Sequence, residues 1–294
     1  MGCGDTLLTL SANAKINLTL DILGTRADGY HEVAMIMQEI SLHDTLSMGK
    51  INQGISLTIA IEGQQGTLPA DESNLCWKAA ALVQKEYNLQ EGVEIHLTKR
   101  IPMAAGLAGG SADAAAVLKG MNHLFRLGMT EARLCELGAR LGSDIPFCIM
   151  GGTMLATGRG EVLTRLPGFP RLSVVLAKPP VGVSTAWAYK TYDAGYDGPH
   201  PDNEAMLAAI HERDAHKAAG LLCNVLEGVT EVEHPVIADY KRLMLEHGAM
   251  ASMMSGSGPT VFGLVREKQQ AWHLADILKK YDGEAGVFVA ETLG

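Results

Sequence analysis

The sequence has little with which to make its cysteines reactive. The five cysteines stand at 3, 76, 135, 148 and 223, with no C-x-x-C pair among them. Neither a zinc ribbon nor a dithiol redox motif is spelled, and an odd count suits reduced thiols in a reducing compartment. Basic charge is short as well: 24 Lys and Arg against 33 Asp and Glu leave a net charge of −9. That is the wrong sign for a surface that must neutralise phosphates, so no nucleic-acid partner is expected. No run of about 18 apolar residues occurs, and no basic-then-apolar leader opens the chain. The expectation is a cytoplasmic protein with no membrane partner. Met1-Gly2-Cys3-Gly4-Asp5-Thr6 fits the spelling of a myristoylation site, but no polybasic segment follows to supply the second membrane signal, which leaves it a chance match. Two catalytic frames are missing too. His211 and His216 are five residues apart, off one helical face and outside an H-E-x-x-H zinc site, and Ser255 and Ser257 lack the G-x-S-x-G frame of a nucleophile elbow.

What is present is apolar substance and pattern. With 294 residues, 47% of them hydrophobic, the chain can bury one large core or two smaller ones, and two lobes are expected. Ala14, Ile16, Leu18, Leu20 and Ile22 alternate with Lys15, Asn17, Thr19 and Asp21, the period of a half-buried strand that turns Lys15 and Asn17 to one non-core face. A turn from Gly24 to Gly29 leads to an apolar stretch ending at Leu46, and residues 55–61 alternate again. Helices are expected over 73–87, 114–124, 130–141, 203–222 and 235–247, and strands over 93–97, 172–177 and 260–265. The turn-rich stretch from Gly158 to Pro170 marks a boundary between domains 1–160 and 161–294. The fold class is α+β.

Four stretches carry chemistry. Residues 101–125, IPMAAGLAGGSADAAAVLKGMNHLF, place a loop nearly bare of side chains before a helix, where free N–H groups and the positive end of the helix dipole can hold an anion. It is neither a Walker A loop, since no Lys follows the last glycine, nor G-x-G-x-x-G; a tight helix start against a sheet is the plainer alternative. Gly142-Ser143-Asp144-Ile145-Pro146-Phe147 offers Asp144 either as a helix cap or as an exposed carboxylate. Ser255-Gly256-Ser257-Gly258-Pro259 is a small-residue turn. Asp28-Gly29-Tyr30-His31 follows the Lys15 strand; an isolated pair of this kind reads as a core aromatic beside a turn histidine, or else as a platform for a planar ligand.

Together these stretches resemble the motifs of the GHMP small-molecule kinases, and in the same order: AKINLTLDILGTRADGYHEVAMIMQEISLHD (14–44), PMAAGLAGGSADAAAVLKGMN (102–122), LGSDIPFCIMGGTMLATGRGE (141–161) and MSGSGPTVFGL (254–264). The resemblance spans most of the chain. It implies a two-domain fold, an N-terminal ATP-binding lobe and a C-terminal α/β sandwich lobe, with ATP and substrate meeting in the cleft between them. It also implies phosphorylation of an alcohol with ATP and Mg2+ as cofactors. Residue by residue, it assigns the ATP phosphates to Pro102, Gly106, Leu107, Ala108, Gly109, Gly110 and Ser111, catalysis to Asp144 and Lys15, and Mg2+ to Ser111, with Asp113 as a further candidate. Ala108 departs from the glycine usual there and is expected to need a negative φ, and a side chain at Gly109 is expected to block the nucleotide's approach. Asp28 to His31 points to the branch that phosphorylates the 2-hydroxyl of a cytidine diphosphate-linked methylerythritol in isoprenoid precursor synthesis, with Asn17, Tyr30, His31, Thr185 and Tyr189 holding that substrate. Trp187 and Tyr192 compete with Tyr189 for the base. The alternatives are a homoserine- or mevalonate-type kinase, or an inactive nucleotide-sensing relative. A metal-dependent hydrolase would need clustered His and carboxylate ligands, which the sequence does not spell. The assembly is expected to be a monomer or a homodimer.

Overall fold

The computed structural model describes residues 7–294; the Met1–Thr6 myristoylation spelling and Cys3 lie outside the described residues. Along the chain run β1 (Leu8–Thr25), β2 (His31–Ile51), β3 (Ile55–Ile61), α1 (Leu75–Glu86), β4 (Gly92–Lys99), α2 (Gly109–Leu124), α3 (Glu131–Ala139) and α4 (Ile145–Met150). Then come β5 (Thr153–Thr157), β6 (Val162–Arg165), β7 (Ser173–Lys178), α5 (Thr185–Asp193), α6 (Asn203–His211), α7 (Ala215–Ala219) and β8 (Cys223–Asn224). The chain ends with α8 (Val225–Glu233), α9 (Val236–Glu246), β9 (Ala251–Met254), β10 (Val261–Val265), α10 (Lys268–Tyr281) and β11 (Gly286–Glu291). Helices and sheets are mixed throughout, as an α+β fold requires.

Two compact units divide the chain, one of residues up to 14, 43–101 and 108–150, the other of 15–42, 102–107 and 151–294. In the first, β4 pairs antiparallel with β2, from Thr45 opposite Thr98 to Ile51 opposite Gly92. It pairs parallel with β3, from Ile55 opposite Val93 to Ile61 opposite Lys99. Parallel neighbours cannot be joined by a tight turn, and α1 supplies the crossover. Leu46, Met48, Val93, Ile95 and Leu97 from these strands are buried with Ala79, Val83, Val117, Leu118 and Met121 from α1 and α2. The caps follow the expected chemistry: the Asn74 side chain accepts from Cys76 N and opens α1, and Thr130 accepts from Arg133 N and opens α3.

The second unit contains a four-stranded antiparallel sheet in the order β11-β7-β10-β9, against which α9 and α10 pack. All five residues of β10 are buried. In the same unit β1 pairs parallel with β8, Leu20 opposite Asn224, and β2 pairs with β5 from Met35 to Gln38.

Two expectations are corrected here. Residues 203–222 do not form one helix: Arg213 turns to φ 56°, and the Asp214 carboxylate accepts from His216 N and Lys217 N to restart the chain as α7. Nor is the face of β1 that carries Lys15 and Asn17 left to solvent, since every residue from Ala14 to Ile22 is buried. The strand is covered on both faces, so alternation in its sequence marks polarity, not exposure.

Candidate active site

In the second unit the site grows from β1. Lys15 is 4% exposed, and a buried ammonium needs acceptors to hold its charge. Its Nζ donates to Asn17 Oδ1 at 2.6 Å and to Gly106 O at 3.1 Å. Asn17 is fully buried, with its Nδ2 directed to Met35 Sδ at 3.4 Å, so its amide serves the lysine. The backbone joins in, Lys15 N donating to Leu107 O at 3.2 Å. Ser255 Oγ donates to the same Gly106 carbonyl at 3.0 Å. Two backbones approach closely here: a Cβ on Gly106, whose φ is +73°, would stand 2.1 Å from Ser255 O. Gly106 therefore has an internal reason to be glycine.

The turn at 28–31 is built by its own side chains. Asp28 Oδ1 accepts from Tyr30 N at 3.1 Å, and that backbone N–H holds the exposed carboxyl below the usual carboxylate range, with the Arg26 guanidinium adding to the effect. Tyr30 is 56% exposed, with the Arg159 guanidinium 4.9 Å above its ring; it is not a core aromatic. His31 Nε2 stands 2.8 Å from Asp193 Oδ1, and its ring lies 4.8 Å from that of Tyr189. In a neutral imidazole this makes Nε2 the donor and Nδ1 the acceptor. Of the three competing aromatics on α5, Trp187 faces His234 and Tyr192 stacks on Tyr196, which leaves Tyr189 beside His31. Thr185 Oγ1 is 3.0 Å from Ser257 Oγ, and Pro102 is buried.

In the first unit α2 begins at Gly109, after Ala108 at φ 57° and ψ 26°. The expected negative φ is not met: the alanine takes the left-handed conformation that glycine takes freely, at a cost of about 1 kcal/mol. A Cβ on Gly109 would meet Lys99 Nζ at 2.7 Å and Ile101 Cγ2 at 3.0 Å, whereas one on Gly110 would meet nothing closer than Leu75 Cδ1 at 3.5 Å. The close approach expected at Gly109 is therefore internal packing, and Gly110, which is exposed, is the glycine with space above it. Ser111 follows, half-buried, in the first turn.

Beneath this turn is a buried charge cluster. Lys99 Nζ bonds the Asp44 carboxylate and lies 2.9 Å from Asp113 Oδ2; Asp44 Oδ1 also accepts from Ile101 N at 2.8 Å. Burial pushes the Asp113 carboxyl up to about 8, with the Lys99 charge offsetting part of the effect, and Asp113 Oδ1 has no hydrogen-bond partner. Asp113 is engaged inside the protein, which takes it out of the candidate magnesium ligands. Asp144 is half-buried just before α4. Its backbone carbonyl accepts from Cys148 N at 3.1 Å, while among the described residues its side chain caps no backbone N–H.

Residues 74–152 match the GHMP kinases N terminal domain family and residues 206–283 the GHMP kinases C terminal family. A 4-diphosphocytidyl-2-C-methyl-D-erythritol kinase from Acetivibrio thermocellus is 48% identical over 286 residues, 97% of this chain and 99% of the relative. The chain belongs to the 4-diphosphocytidyl-2-C-methyl-D-erythritol kinase family of GHMP kinases. Another member, from Geobacillus kaustophilus, is 46% identical over 98% of this chain and 97% of its own. A crystal structure titled 4-(cytidine 5'-diphospho)-2C-methyl-D-erythritol kinase superposes with a TM-score of 0.82 at 31% identity, covering 98% of this chain and 100% of that one. A homoserine kinase from Cytophaga hutchinsonii, TM-score 0.77 at 20% identity, shares the fold. As a member of this family the chain is an ATP-dependent phosphotransferase.

Several residues that the structure brings into these contacts were not among the expected site residues: Asp44 and Lys99, Asp193, Arg159, Asn224 and Glu227. For the last two a signal existed, since Asn224-Val225-Leu226-Glu227 has the spacing of a capping box. Asn224 does cap α8, but Glu227 Oε2 instead accepts from Met254 N at 2.6 Å, and burial raises its carboxyl while Lys241 partly offsets the shift.

Proposed function

We propose that this chain transfers the γ-phosphoryl group of ATP to the 2-hydroxyl of 4-diphosphocytidyl-2-C-methyl-D-erythritol, in non-mevalonate isoprenoid precursor synthesis. The observation that carries this reading is the 48% identity over 97% of the chain to a kinase of that name. In the step, the substrate oxygen bonds to the γ-phosphorus, the bond from that phosphorus to the bridging oxygen breaks, and ADP leaves. Asp144 takes the hydroxyl proton; its carboxylate is not committed to capping α4 and can accept one. Lys15, held by Asn17 and Gly106, supplies fixed positive charge where negative charge develops.

The nucleotide phosphates fall to the backbone from Gly106 to Ser111, with Gly110 as the point of open approach. The residues present fit Mg2+: the Ser111 hydroxyl stands in the first turn of α2, and the ion needs few protein ligands because it keeps several waters. When bound it neutralises phosphate charge. Tyr30 and Tyr189 offer aromatic faces to the cytosine, and His31 Nδ1 can accept from its exocyclic amine; Thr185 completes that side, whereas Asn17, expected to hold the substrate, is fully buried with its amide on Lys15 and Met35 and acts through Lys15. We take 1–160 and 161–294 as the two family domains, and the two family matches, at 74–152 and 206–283, support this division. No helix among the described residues is long and apolar enough to cross a membrane, and with the acidic net charge this supports a cytoplasmic enzyme of small molecules, acting as a monomer or a homodimer.

The test is incubation with ATP, Mg2+ and the cytidine-linked erythritol, with mass spectrometry for one added phosphoryl group. Homoserine and mevalonate in parallel vessels test the other acceptors. Transfer to either of these and not to the cytidine compound would overturn the assignment.

A further inference from the structure

A chain of contacts within the second unit leads away from Lys15 and returns to it. The Lys15 ammonium and the Ser255 hydroxyl both donate to Gly106 O. Ser255 belongs to a turn closed by Ser255 N to Thr260 O at 2.9 Å and Gly258 N to Ser255 O at 3.0 Å. The carbonyls on either side of Ser255 are gripped by one side chain: Asn224 Nδ2 donates to Met254 O at 2.9 Å and to Gly256 O at 2.8 Å. The same amide's Oδ1 accepts from Leu226 N at 3.0 Å and caps α8. Asn224 is itself paired to β1, opposite Leu20, in the strand that carries Lys15. It is 5% exposed, and both N–H groups and the oxygen of its amide are used.

We infer that Asn224 is a positioning residue for the phosphoryl transfer: by clamping the carbonyls of Met254 and Gly256 it fixes Ser255 on Gly106 O, and so fixes the carbonyl that aims the Lys15 ammonium. The clamp needs two donors and one acceptor on a short side chain, which asparagine has and neither aspartate nor serine has. The turn and the loop approach closely here: a Cβ on Gly106 would stand 2.1 Å from Ser255 O, and one on Gly256 would stand 3.0 Å from Gly106 O and 3.3 Å from Lys15 Nζ. A carbonyl released from this grip would no longer fix the direction of the ammonium. Displacements of about 1 Å at a reacting centre cost on the order of 100-fold in rate.

The inference rests on the reading of Lys15 given above, so the experiment separates the two. Asn224→Ser keeps an oxygen to cap α8 but cannot hold two carbonyls. Ser255→Ala removes the last link of the clamp without touching the cap. Each is made in the natural chain and in the Lys15→Met chain, and kcat, both KM values and the melting temperature are measured with ATP and 4-diphosphocytidyl-2-C-methyl-D-erythritol. The expected result is a fall in kcat of about 10- to 100-fold for Asn224→Ser and a smaller fall for Ser255→Ala, with both KM values within about threefold. In the Lys15→Met chain the same changes should lower the residual kcat by less than about twofold, as coupled residues do. An unchanged kcat, or an equal loss with and without Lys15, would show that Asn224 only braces the fold. If Asn224→Ser does not fold, Ser255→Ala carries the same test. If Lys15→Met alone retains kcat within tenfold, it is the role of Lys15 that fails, and the positioning of Lys15 fails with it.

Discussion

At the scale of single residues, the site depends on side chains whose bonding is either fully used or left open. Asp144 is open: it stands before α4 without capping it, and Pro146 has no N–H to offer a cap at the second helical position. Asp144→Asn should therefore lower kcat by about 10² to 10⁴ with ATP affinity nearly intact, as loss of a general base does. A variant within tenfold of the parent would return Asp144 to a structural part. Tyr30 is open in another sense, exposed and touched by Arg159, so its removal should spare the fold. Tyr30→Ala should weaken the cytidine substrate by about 5- to 100-fold, the worth of one base stacked on an aromatic, while ATP affinity and melting temperature hold. CMP should compete with the substrate in the parent and lose that competition in the variant; failure of CMP to bind the parent would remove the cytidine assignment. Lys15, Asp144, Tyr30 and His31 were legible as candidates only through the family resemblance of their motifs, since alone they read as a charge on a strand's outer face, a helix cap, a core aromatic and a turn histidine. Asn224, Asp193 and Lys99 were not, because their roles come from partners 32, 162 and 55 residues away, and no local spacing records such a distance.

At the scale of elements, the start of α2 shows how a glycine-rich loop divides its labour. Gly106 lets two backbones meet, Gly109 makes room for Lys99 and Ile101, and Gly110 has space above it. The sequence presents all three as equivalent, and only the environment of each Cβ tells them apart. Gly110→Val should then raise KM for ATP about tenfold or more and leave KM for the cytidine substrate and the melting temperature nearly unchanged, since in the proposed site a side chain here would meet nucleotide, while its Cβ meets the protein only in ordinary contact with Leu75. Equal loss of both affinities with the fold intact would make the loop a helix start and nothing more. Gly109→Val is the poorer probe, because its side chain would collide with Lys99 first. The long strands and the helices with clear caps were legible for ordinary reasons of period and capping. The break between α6 and α7 was masked: Asp214 is a good cap, but apolar residues continue past it and suggest one helix.

At the scale of the whole molecule, the two units are not consecutive segments. β1 and β2 each contribute residues to both, and residues 102–107 belong with the second unit while 108–150 belong with the first. Compactness is set by long-range contacts, which a reading along the chain does not contain. Each unit does hold one buried carboxyl with a raised pKa, Asp113 in the first and Glu227 in the second, burial being the main cause of each. A carboxyl whose folded pKa lies above its unfolded value binds its proton more tightly when folded. Its contribution to stability is complete below about pH 4 and is lost as pH rises through the folded value. The carboxylates with lowered pKa values, the exposed Asp28, Asp71, Glu86 and Asp214 and the half-buried Glu291, act in the opposite sense, but their window lies below about pH 4.5. Between pH 5 and about 8 Asp113 dominates the slope, with Glu227 acting in the same direction, and thermal stability should fall as pH rises. Asp113→Asn replaces the titrating carboxyl with an amide of the same shape and leaves Asp44 to hold Lys99. Melting curves from pH 5 to 9 should decline less steeply for this variant than for the parent, and Asp113→Asn combined with Glu227→Gln should flatten them further. Parallel curves for parent and Asp113→Asn would mean that Asp113 is ionised throughout, held so by Lys99, and that burial is not the dominant influence on it.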